Sequence, residues 1–69
     1  MADARPSVRL GLTAALERDG FEVVAHSGTS EEASSAAALT RPDACLIDAR
    51  LRGGGLEAAR QIKYRVPAT

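Results

Sequence analysis

The chain has 69 residues, with nine basic and nine acidic side chains in balance, one cysteine, one histidine, one Phe, one Tyr and no Trp. Zero net charge gives no general attraction to nucleic acid or an anionic membrane, and two aromatic residues make no platform for stacked bases. The single cysteine forms no internal disulfide, no apolar run approaches the ~20 residues of a membrane span, and the amino terminus lacks a secretory layout, so a small cytoplasmic chain is expected.

The first predicted element is a helix over Pro6–Asp19. Val8, Gly11, Leu12, Ala15 and Leu16 recur at three-and-four spacing and mark one apolar stripe. Pro6 suits a first helical turn, and Gly20 stands where a helix stop favours positive φ. Phe21–Ala25, reading FEVVA, predicts a short strand because it is rich in β-branched and aromatic residues. His26, Ser27 and Gly28 make a turn, in which His26 reads as a solvated residue. Thr29 and Glu32 have capping-box spacing and open a second helix that runs to about Thr40, where Pro42 ends it. The alanines from Ala33 to Ala38 fit close helix packing.

Ala44–Ile47 is a continuous apolar run leading into Asp48, and it predicts a strand buried on both faces. Asp48 would then lie at the carboxyl end of that strand, the edge along which parallel α/β sheets bind ligands. Gly53–Gly55 match neither GxGxxG nor GxxxxGK[ST], so they read as a flexible loop before a last helix from about Leu56 to Tyr64. Ala58, Ala59 and Ile62 are the inner face expected for that helix. The order helix, strand, helix, strand, helix implies an α/β fold with parallel strands. Two strands make an incomplete sheet, since sheets usually hold about four to six.

Four segments in order carry a family resemblance. Asp3-Ala4-Arg5-Pro6-Ser7-Val8-Arg9-Leu10-Gly11-Leu12 occupies the frame of an acidic pair followed by HPxVRxGL. Gly20–Val24 matches a GFEVV strand, Arg41–Asp48 an RPDxxLxD strand, and Gly54–Arg60 a GGLEAAR helix start. Together they resemble the amino-terminal half of a response-regulator receiver domain from two-component signalling. The closest subgroup is the one with a LuxR-type helix-turn-helix output. The resemblance implies a flavodoxin-like receiver fragment over residues 1–69. Its first strand would be essentially missing, and the chain would stop before a fourth.

It also implies roles. Asp48 aligns with the aspartate that accepts a phosphoryl group from a sensor histidine kinase. Asp3 aligns with one acid of a Mg²⁺ site that Asp48 and the backbone carbonyl of Arg50 would complete. Ala4 occupies the place of the second acid and brings no oxygen ligand, so the implied Mg²⁺ site is weakened. The implied function is phosphorelay signalling to transcription in the cytoplasm, without enzyme activity, with a second receiver as a further partner. This segment itself would touch neither nucleic acid nor membrane. The alternative is a pseudo-receiver interaction module that is never phosphorylated. Haloacid-dehalogenase-type phosphotransferases also use a strand-end aspartate, but they need an acid two positions later, where Arg50 stands.

Overall fold

The computed structural model describes every residue from Met1 to Thr69. It contains three helices, α1 (Pro6–Arg18), α2 (Ser30–Thr40) and α3 (Gly55–Arg65). Each begins where local chemistry allows. Pro6 takes the first helical position, where its missing N–H costs nothing. The Thr29 side chain accepts the Glu32 N–H at 3.2 Å, and Glu32 reaches back to accept the Gly28 N–H at 3.0 Å. The predicted capping box therefore forms, closing on Gly28 instead of on Thr29 itself. At its other end α2 stops on Arg41, which is left-handed (φ 46), just before Pro42.

The core lies where α2 meets α3. Ala33 and Ala37 from α2 face Ala58 and Ile62 from α3, and Ala2, Leu51 and Val66 complete the buried cluster. Alanines bring the two helix backbones close, so the larger side chains Leu51, Ile62 and Val66 fill most of the remaining volume. The expected inner face of α3 is correct at Ala58 and Ile62, whereas Ala59 points to solvent.

α1 departs from expectation. The apolar stripe through Val8, Leu12 and Leu16 predicts a helix set into the core, yet α1 buries no residue and packs on neither α2 nor α3. Leu10 and Leu12 are exposed. Periodicity identified the helix but not what its apolar face would meet.

The expected flavodoxin-like sheet is not formed, and this corrects the α/β assignment: the structure has three helices and no strand. Phe21–Ala25 and Ala44–Asp48 are extended connections, with Phe21, Val24 and Leu46 exposed instead of buried on two faces. Only three isolated parallel bridges occur, Ala2 with Ser27, Ala2 with Ile47, and Thr29 with Arg52. The reason lies in Ala2. Its N–H donates to the Leu46 carbonyl at 2.8 Å, and its carbonyl accepts the Asp48 N–H at 2.9 Å. On the opposite side Asp3 N–H donates to Ser27 and Ser27 N–H donates to Met1, at 3.0 and 2.9 Å. One residue thus links the two connections at their ends. A strand needs successive bonded residues along both partners, and Phe21–Val24 and Ala44–Cys45 have no such neighbour.

No helix is long and apolar enough to cross a membrane.

Candidate functional site

The bridges through Ala2 have a consequence for the two aspartates the sequence singles out. Asp3 follows Ala2 directly, and Asp48 donates its N–H to the Ala2 carbonyl, so residues 45 positions apart in sequence open onto one site. Asp3 is buried, with its side chain 7% exposed, whereas the Asp48 side chain is 19% exposed and faces solvent more openly.

Arg5 joins them. Its Nε donates to Asp3 Oδ1 at 3.1 Å and its Nη2 to Asp3 Oδ2 at 3.0 Å, a two-pronged fork on one carboxylate. The Arg5 backbone N–H adds a third bond to Asp3 Oδ1 at 2.9 Å. The same Nη2 also donates to Asp48 Oδ2 at 3.3 Å. These bonds hold the Asp3 carboxyl down at about 2, from an ordinary value of 3.8, with the Arg5 side-chain hydrogen bond the largest cause. The Arg5 guanidinium is correspondingly pushed up by its bond to Asp3.

Arg50 enters from the other side of Asp48. Its backbone N–H donates to Asp48 Oδ1 at 3.0 Å, closing an Asx turn, and its Nε lies 3.6 Å from the same oxygen. Arg50 thus meets Asp48 through its donors. Arg9, on the first turn of α1, donates from its guanidinium to the Asp3 backbone carbonyl. Ala4 is exposed and adds nothing to the cluster, and His26 is exposed as expected of a turn residue.

A divalent cation does not fit this arrangement. All four carboxylate oxygens of Asp3 and Asp48 already accept an N–H from Arg5 or Arg50. Ala4 supplies no oxygen at the position beside Asp3. What the site does offer is one partly open carboxylate flanked by two guanidinium groups. Such a site presents two fixed positive charges beside Asp48, which offset the charge of an anion brought to it.

Reasoning from sequence singled out Asp3 and Asp48, which the structure brings together, and did not single out Arg5 and Arg9, which bond to them. The signal was present in the spacing. Arg5, two residues after Asp3, reaches back to it here, and Arg9 lies one helical turn beyond Arg5.

Two curated proteins of Mycobacterium tuberculosis, from strains CDC 1551 / Oshkosh and ATCC 25618 / H37Rv, are similar to the chain, and both are called transcriptional regulatory protein PdtaR. Each is 32% identical over 63 residues, which cover 90% of this chain and 31% of the relative. The match supports a response-regulator-like domain. The chain spans about a third of the length of these relatives. No family model and no solved structure matches it.

Proposed function

We propose that the chain is a phosphoacceptor module of response-regulator type, acting in the control of transcription, with Asp48 as the residue through which it is switched. One observation carries this reading: Asp48 is the more exposed of two aspartates joined at one site, and it is flanked by Arg5 and Arg50. The relatives' printed name supports the link to transcription, and the sequence resemblance supports the phosphorelay. The LuxR-type subgroup, a sensor histidine kinase as donor, pairing with a second receiver and a cytoplasmic setting all rest on that resemblance.

The chemistry asked of Asp48 is simple. A carboxylate oxygen attacks the phosphorus of a phosphohistidine, a P–O bond forms, and the P–N bond breaks. An acyl phosphate is left on Asp48, and the bond's electron pair returns to the imidazole, which takes up a proton from water. The attack brings two anions together, and the guanidinium groups of Arg5 and Arg50 offset that charge.

Treatment of the chain with acetyl phosphate tests the reading. A phosphoryl mass gain on the peptide holding Asp48, absent from Asp48→Asn, is the expected result. No gain in the wild type, or an equal gain in Asp48→Asn, refutes it. The second reading, an interaction module that is never phosphorylated, is favoured by Ala4, which leaves the position of the second acid without an oxygen. An unlabelled wild type that still binds a partner through this face would support it.

A further inference from the structure

We propose that Arg5 takes the place of a divalent cation, so that the Asp3–Asp48 site carries its own counter-ion and excludes the metal. The proposal rests on the reading above only in taking Asp48 as the acceptor.

Two carboxylates opening onto one site repel each other and need a cation between them. A metal would meet that need by lying between their oxygens. Here a single nitrogen, Arg5 Nη2, lies 3.0 Å from Asp3 Oδ2 and 3.3 Å from Asp48 Oδ2 and occupies that position. The guanidinium does not get there by chance rotation. The fork on Asp3 and the backbone bond at 2.9 Å fix Arg5 at three points before it reaches Asp48.

The charge also suffices. Arg50, 3.6 Å from Asp48 Oδ1, adds a second positive charge, so the two side chains together bring what a divalent ion would. Ala4 fits the same account. With no second acid beside Asp3, the site holds one negative charge fewer, and arginine alone balances it. Arginine stays protonated at any physiological pH, and no chelator removes it.

The test is a Mn²⁺ titration of the 69-residue chain, followed by paramagnetic broadening in ¹H–¹⁵N spectra. The wild type should show no selective broadening at Asp3, Asp48 and Arg50 at millimolar Mn²⁺. Arg5→Ala and Arg5→Gln should each gain it, with apparent affinity rising by at least about tenfold, as expected when a competing charge is removed. Arg5→Gln keeps the backbone bond to Asp3 and most of the stem, and it decides the matter if Arg5→Ala loses its dispersed spectrum. Selective broadening in the wild type overturns the proposal. So does its absence from both variants.

Acetyl phosphate labelling in EDTA separates this result from the acceptor reading. Labelling of the wild type that survives EDTA supports the proposal, and labelling abolished by EDTA overturns it. If Asp48 takes no label even with Mg²⁺ present, the acceptor reading fails. The titration still decides whether Arg5 holds the cation's place.

Discussion

Replacing Gly55 by alanine tests how closely α3 is seated on the turn that carries Asp48. A Cβ on Gly55 would overlap the Asp48 carbonyl oxygen and lie 2.7 Å from Ala49 Cα and 3.0 Å from Ala49 C. All three are backbone atoms, so no side chain can swing aside. Ordinary contact begins near 3.4 Å, so the helix start and the Asp48–Leu51 turn must separate by close to an ångström. Overpacking costs ~1–3 kcal/mol, and a clash with three backbone atoms falls in the upper part, about 2–3 kcal/mol, against which alanine returns ~1 kcal/mol of helix propensity. A net loss of about 1–2 kcal/mol is expected from a chain whose single small core supplies only ~3–5 kcal/mol. With a urea slope near ~1 kcal/mol/M for so small a domain, the midpoint should fall by about 1–2 M, read by circular dichroism. Gly11→Ala is the internal control. Gly11 lies inside α1 with nothing within 4 Å of its added Cβ, so the same change should raise the midpoint by up to about 1 M. Gly55→Ala at or above wild-type stability would refute the argument from space.

Three further outcomes follow from the core and the site. Asp3 has a depressed carboxyl, at about 2 against an ordinary 3.8. Its stabilising effect is therefore complete above about pH 4 and lost as pH falls from there through 2. Urea midpoints should drop over that window, and Asp3→Asn should flatten the drop; an unchanged acid limb in Asp3→Asn would count against the Arg5 fork. Thr29→Ala removes the side-chain cap of α2 and should cost ~1 kcal/mol in urea unfolding, with Thr29→Ser close to wild type. Ile62→Ala empties the space of one of the few large core side chains and should cost ~2–5 kcal/mol, comparable with the whole stability. A cooperative, near-wild-type transition in Ile62→Ala would show that the α2–α3 seam is not the core.

The helices were legible because their ends carry local chemistry. Pro6, the Thr29–Glu32 pair, Pro42 and the Gly53–Gly55 run act within a few residues, and each marks a boundary within one or two positions of the observed one. The strands were not legible, because a strand is a statement about neighbours. Ala44–Ile47 has the composition of a buried strand, but only Ala2 lies beside its end, and Leu46 is left half exposed. Of the cluster the structure brings together, Asp3 and Asp48 were singled out through the order of the motifs. Arg5 was passed over because an arginine after an aspartate reads as a surface pair until a second carboxylate arrives from 43 residues away.

α1 has no place in the core, and its long-range polar ties run through Arg9 and the adjoining Arg5 to the acidic site. A helix wedged among apolar side chains keeps its angle whatever happens at a nearby carboxylate. A helix moored by guanidinium groups does not. Arg5, which grips Asp48, is the residue directly before α1, so the helix that leaves Leu10 and Leu12 exposed starts from the acidic site itself. In this chain the helix that leaves its leucines to solvent is held to the rest of the fold by charge and not by packing.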